Sequence, residues 1–350
     1  MAINLFHFSA EGRFFKELDL IKRYPGVPAK IVLFLLDKRY DVVEIIKDHM
    51  KNELFDTFSK KLEDEEKILF ECNLAPDEES KDDKAYFLIS KKNPVALFIS
   101  NQKGKRFKAT LGFFYGFYPL LSRIFLRSYQ MLSMLHDIEK ENKLDLIAKS
   151  YVAKRYFGKK KSEVCYERIS YQRAFEQAIE DNLWIDSILL DLMKSELKEG
   201  SVRLSRKGIL SYYSMDFSSF YSLFIEPLME SLIEVYNVFF VNKSRTIESP
   251  EPKPITIKLN EDVFKKEDSI TLFINQLRKD LTRWGFSIFN KDENFLHLML
   301  HDYESGSSYD ILISSYNEIK VIPQTQVIPS SINRLIGFLL DNYEGELENV

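Results

Sequence analysis

The residue types best placed to do chemistry lie near the C-terminus. Asp310 opens a strand-like run over 309–314, and Glu318-Ile319-Lys320 falls on what reads as the next strand. Two carboxylates with a lysine two positions on are what a Mg²⁺-dependent nuclease needs: the carboxylates hold the ion, and the lysine orients water or stabilises charge on the phosphate. Against that stands the run Ser314-Ser315-Tyr316-Asn317, which reads as a turn and places Glu318 at the start of a strand rather than in its middle. An ordinary hairpin with surface charges is the competing reading. His297 and His301 are four apart, a zinc-binding spacing on a helix. The alternation Phe295, His297, Met299, His301 against Leu296, Leu298, Leu300 instead reads as a strand, with the two histidines on its polar face. Cys165, within Val164-Cys165-Tyr166, reads as a packed thiol. Cys72 and Cys165 lie too far apart for a disulfide framework or a zinc spacing, so a reducing compartment is expected. No phosphate-loop, dinucleotide, nucleophile-elbow or H-E-x-x-H signature is present. The nearest basic glycine loop, Asn101-Gln102-Lys103-Gly104-Lys105-Arg106, lacks the second glycine and the hydroxyl of a nucleotide cradle.

Charge distribution says more than any motif. Residues 101–173 hold sixteen bases against six acids, a charge of +10 in a chain whose net charge is −4, so the remainder carries −14. Within it, Lys154-Arg155-Tyr156-Phe157-Gly158-Lys159-Lys160-Lys161 mixes bases with aromatics and a glycine, a composition suited to phosphates and exposed bases. Lys103, Lys105, Arg106 and Lys108 form a second group. Arg123 and Arg127 are read four apart on one helix, and Arg203, Arg206 and Lys207 form a last cluster. An acidic block at 53–83, with twelve acids and four bases, is read as a solvated helix face and loop that could pair with these bases.

The elements that must position these residues are read from periodicity. A helix is expected from Tyr118, with Pro119 in its first turn and Leu120, Leu121, Ile124, Met131, Leu132 and Leu135 as its apolar stripe. Another is expected through Ile270, Phe273, Ile274, Leu277, Leu281 and Trp284, stopped by Gly285. Strands are expected at 84–90, 95–100, 255–259, 286–289, 294–303, 309–314 and 318–322, with a closing helix at 331–342. Phe114-x-x-Phe117-Tyr118 and Phe217-x-x-Phe220-Tyr221 share spacing and are read as two helix openings, too little to establish a repeat. Three prolines alternating with polar residues mark 244–254 as a linker. The expected fold class is α+β: a large, helix-rich mixed N-terminal region at 1–243 with a sub-boundary near 75–84, and a smaller α+β domain at 255–350 built on an antiparallel meander.

With 350 residues, 45% apolar and 14% aromatic, the chain has ample material for cores, and its 12 glycines and 11 prolines argue against disorder. No apolar run reaches the ~20 residues of a membrane span and no secretory leader is evident, so a cytoplasmic protein without membrane contact is expected. The function that follows is a non-catalytic, nucleic-acid-binding subunit of a larger assembly, of the kind found in prokaryotic antiviral defence. It would need no cofactor and would act as a homo-oligomer or hetero-complex, its bases meeting nucleic acid or an acidic protein surface. The alternatives are a Mg²⁺-dependent nuclease through Asp310, Glu318 and Lys320, and a protein-interaction scaffold that binds no nucleic acid.

Overall fold

The computed structural model of the chain describes residues 13–19, 21, 28–37, 41–49, 55–74, 83–155, 161–181, 183–236, 254–324, 327–343 and 345–348. It divides into two compact units, 1–232 and 233–350. The expected linker at 244–254 and the segment 75–82 lie outside the described residues, save Pro254.

The first unit runs α1 (Arg13–Asp19), β1 (Ala29–Leu36), α2 (Val42–His49), β2 (Phe55–Glu63), β3 (Lys67–Leu74), β4 (Ala85–Ser90), β5 (Val95–Ser100), α3 (Gly104–Tyr115), β6 (Leu121–Arg123) and α4 (Ser128–Asn142). It continues with β7 (Asp145–Arg155), β8 (Lys161–Cys165), β9 (Ile169–Ser170), α5 (Tyr171–Glu180), β10 (Trp184–Lys194), β11 (Leu197–Ser205), β12 (Ile209–Tyr213), α6 (Phe217–Phe220), a π-helical turn and α7 (Glu226–Tyr236). The strands form one twelve-stranded sheet in the order β2-β3-β4-β5-β1-β12-β11-β10-β7-β8, with β6 against β1 and β9 against β7. Every pairing in it is antiparallel.

This overturns the helix-rich N-terminal region. Central strands buried on both faces read as continuous apolar runs instead of alternating ones. The strands expected at 84–90 and 95–100 are β4 and β5, every residue of which is buried, whereas β1, buried throughout save Lys30, carries the same continuous apolar pattern and was not expected as a strand. The acidic block read as a helix face is the β2–β3 hairpin at the sheet's edge. There Ser59, Lys60, Lys61 and Glu63 are exposed, and Lys61–Glu71, Lys67–Asp64, Lys91–Glu63 and Lys92–Glu66 pair at 3.2, 3.0, 2.7 and 2.7 Å. Charges on an edge strand discourage further strand pairing, and they mimic the polarity of a solvated helix. The helix expected from Tyr118 is also corrected. Leu121 lies on β6 and only Met131, Leu132 and Leu135 lie on α4. The cause is β1, whose Ala29–Val32 pair with β12 while Phe34–Leu36 remain to pair with β6, so Leu121 is buried by sheet pairing. Phe114 ends α3 whereas Phe217 opens α6, so the two Phe-rich runs are not equivalent.

One face of the sheet carries a core of Val32, Phe34, Leu36, Phe70, Phe87, Ala96 and Phe98, capped by Val42 and Ile46 of α2 and by Phe107, Leu111 and Phe114 of α3. Phe34 is its hub, with ring centroids 6.4 Å from Phe87, 6.2 Å from Phe114 and 5.9 Å from Tyr115.

The second unit runs β13 (Ile255–Leu259), α8 (Ser269–Asp280), β14 (Trp284–Lys291), β15 (Leu296–Asp302), β16 (Ser308–Ser315), β17 (Glu318–Pro323), α9 (Pro329–Asn342) and β18 (Gly345–Glu348). Its antiparallel sheet is ordered β14-β15-β16-β17-β13-β18. Helix α8 stops at Asp280, earlier than Gly285 would have it, and Trp284 and Gly285 belong to β14. Arg283, at φ 68°, makes the reversal without a glycine. Strict alternation of buried and half-exposed residues along β15 and β17 is what made these strands legible. No helix among the described residues is long and apolar enough to cross a membrane.

Phe34→Ala removes a fully buried ring that packs against three others, and should lower unfolding free energy by ~3–5 kcal/mol, read as a shifted guanidinium midpoint by circular dichroism.

Candidate nucleic-acid interface

The second unit does not assemble the carboxylate pair. Asp310 lies opposite Ile322, and Glu318 lies opposite Ser315. The two therefore stand four residues apart along the strand direction, about 13 Å at ~3.3 Å per residue. Asp310 instead accepts a hydrogen bond from Gln324 Nε2 at 2.6 Å, with His297 Nε2 at 3.9 Å, and Lys320 pairs with Glu318 at 3.0 Å. His297 and His301 do share the half-exposed face of β15, separated by Met299, and His301 Nδ1 lies 2.8 Å from Ser308 Oγ. Among the described residues no group of three or more His, Cys, Asp or Glu could hold a metal ion. Cys72 is buried, which pushes its thiol pKa well up; Cys165 sits on β8 beside Tyr151.

The fourteen basic residues singled out in the sequence are dispersed. Arg206 is fully buried with its guanidinium 4.9 Å from the Phe125 ring centre. Arg127, also buried, caps α4 and lies 4.3 Å over Tyr129. Arg123 is on β6, not on a helix with Arg127, and lies 5.6 Å over Tyr115. Lys154 pairs with the buried Asp186. Arg155 and Lys161 are register partners on β7 and β8, and Lys159 and Lys160 lie outside the described residues. Lys207 is half-exposed in the β11–β12 turn. Beside it Gly208 sits at φ +65°, where a Cβ would come within 2.4 Å of Ile124.

What remains converges on one face. Residues directly opposite each other in antiparallel strands point to the same side. The pairs Ser100–Lys30, Lys30–Ser211, Ser211–Arg203, Arg203–Leu189 and Leu189–Ser150 therefore make one transverse row across β5, β1, β12, β11, β10 and β7. The row lies on the face of Val32, Phe98 and Ile209, which pack under α2 and α3. Lys30 and Arg203 are two strands apart, about 10 Å at ~4.8 Å per strand. No described carboxylate pairs with Arg203.

Helix α3 meets this row at its N-terminus. Lys30 Nζ donates to the Gln102 carbonyl at 2.8 Å and lies 4.4 Å over the Phe107 ring. Gln102 N donates to Ser100 Oγ, and Asn101 Oδ1 accepts from Lys84 N, which fixes the β5–α3 turn. Lys103, Lys105 and Lys108 are exposed there, and Arg106 pairs with Asp83 at 3.4 Å. The first turn of α3 contains no acid. Cations at a helix N-terminus oppose the helix dipole, so this arrangement costs the helix stability that an anion would restore. Burial lowers the Lys30 ammonium pKa, Asp83 opposes that and Lys103 adds to it.

The neighbouring row is Tyr213, Ser201, Asp191 and Ile147. Burial alone would raise the Asp191 carboxyl, but donation from Lys198 Nζ at 2.7 Å and Ser201 Oγ at 2.6 Å, with Lys149 nearby, holds it below its ordinary value. Arg168 is 4.0 Å away, so three cations surround one carboxylate. Lys149 is exposed at a β7 bulge, between Ala148 and Ser150. Sequence reading missed Lys30 and Lys198. Its one available signal for Lys30 was a lone lysine in the otherwise apolar run AKIVLFLL.

No family model matches the chain, and none of the curated proteins is similar to it in sequence. The fold and this face together define a protein of two antiparallel-sheet units, the larger bearing a cationic row across its strands.

Because the Asp191 pKa is depressed in the fold, its contribution is present above the unfolded carboxylate pKa and lost as pH falls through the folded one. Asp191→Asn should therefore cost about 1–3 kcal/mol at pH 7, a difference that closes in urea melts repeated at progressively acidic pH.

Proposed function

We propose that the chain binds nucleic acid without catalysing a reaction on it. It grips the phosphate backbone with Lys30, Arg203 and the first turns of α3, as one subunit of a larger cytoplasmic assembly of the kind used in prokaryotic antiviral defence. The observation that carries this reading is the alignment of Lys30 and Arg203 in one row that ends at the cationic, acid-free start of α3. Phosphates supply the charge this helix end lacks, and lysines with flexible stems suit sequence-independent backbone binding. Lys149, Arg168 and Lys198 extend the same field around Asp191. A nuclease reading has less support, because Asp310 and Glu318 are held apart by their register.

Fluorescence anisotropy with labelled DNA and RNA over a salt series tests the proposal. Binding should weaken linearly in log–log form, and replacing Lys103, Lys105 and Lys108 together by Glu should flatten the slope by about 2–3, at ~0.7–0.9 for each phosphate no longer neutralised. Flat anisotropy at low salt with every oligonucleotide would overturn the proposal.

A further inference from the structure

Resting on that reading, we infer that the nucleic acid is single-stranded and crosses the large sheet at right angles to its strands, from the N-terminal end of α3 toward β7. The row that starts at Lys30 lies at the foot of a wall. Helix α3 packs on the same sheet face through Phe107, Leu111 and Phe114, and Lys30 bonds the turn from which that helix rises. A helix with its side chains is about 10–12 Å across, so α3 forms a wall on the sheet and Lys30 sits in the concave corner at its foot. The rounded flank of a duplex cannot enter such a corner, whereas one backbone strand can. Duplex readers instead push a helix or ribbon out into a groove, and every cation of this row lies on the floor or at the foot of α3.

The floor has the composition for unstacked bases. Leu189, Ile147 and Tyr213 are half-exposed along it, and Ser150, Ser187 and Ser205 offer hydroxyls between them. Apolar and aromatic surface carries base faces, hydroxyls reach base edges, and cations hold the backbone; this combination serves single strands on sheet surfaces. The cations recur at even intervals, Lys30 on β1, Arg203 on β11 and Lys149 on β7, each two strands from the last. The path spans four strand intervals, about 19 Å at ~4.8 Å each, which at ~3.4 Å or more per nucleotide sets a footprint of about 4–6 nucleotides, at the short end of single-strand sites.

The test compares one 12-nucleotide DNA or RNA strand with the blunt duplex of the same sequence, at one salt concentration and with the intact chain. The single strand should bind about tenfold tighter or more, with affinity rising up to about 6 nucleotides and then levelling. Arg203→Gln should weaken the single strand by about tenfold, and Lys30→Met, which removes the ammonium and keeps an unbranched side chain, should do likewise. Thermal melts identify a variant that fails to fold, and Tyr213→Leu then serves as the second probe, expected to weaken the single strand and leave the duplex unmoved. Equal or tighter duplex binding, still sensitive to charge reversal on α3, would overturn this inference and leave the proposed function standing. No binding to either form would remove both.

Discussion

Strand β1 joins the two halves of the large sheet. It hydrogen-bonds to β5 along one edge, and to β12 and then β6 along the other. Ile31 through Phe34 have no exposed surface, so the strand is sealed on both faces, with α2 and α3 covering the side of Val32 and Phe34. Everything of functional interest depends on where that seal ends. At Val32 the α3 side is a packed aromatic core; two residues earlier, at Lys30, the same side carries an ammonium. The helix is long enough to cover the apolar part of β1 and no longer, and its own N-terminus marks the limit.

That constraint also explains why the bases are divided between structural and surface roles. Arg206 and Arg127 are interior groups laid against aromatic rings, where a guanidinium packs as a flat, weakly hydrated plate. Lys103, Lys105 and Lys108 are at the surface at a helix end that electrostatics disfavours for them. Placement that works against local stability is what functional sites tend to show. In the second unit the ionic pairs are conventional: Lys320 with Glu318, and Arg283 and Arg334 both with Glu304.

Legibility in the sequence followed burial. The alternating strands β15 and β17, sealed on one face only, were read nearly to the residue, as was α9. In the first unit β4 and β5, apolar on both faces, were read as the strands 84–90 and 95–100, whereas β1, equally apolar, was not read as a strand and the edge hairpin, charged on both sides of its turn, was read as a helix face. The candidate site was legible in part. The α3 lysines stand out as a cluster in the chain, whereas the row of Lys30 and Arg203 is made by pairing β1 with β12 and β12 with β11, which joins residues over 170 positions apart. Arg123 shows the reverse, close to Arg127 in sequence and placed by a short strand instead of a helix.

The central claim is that this sheet face and the start of α3 are the surface that nucleic acid covers. Photo-crosslinking of a 4-thiouridine-substituted single strand to the intact chain, followed by peptide mapping, addresses it directly. Adducts should fall on peptides holding the β5–α3 turn, β11–β12 and the β7 bulge around Lys149. Adducts confined to the second unit, or to α4 and α5 on the opposite face of the sheet, would contradict it.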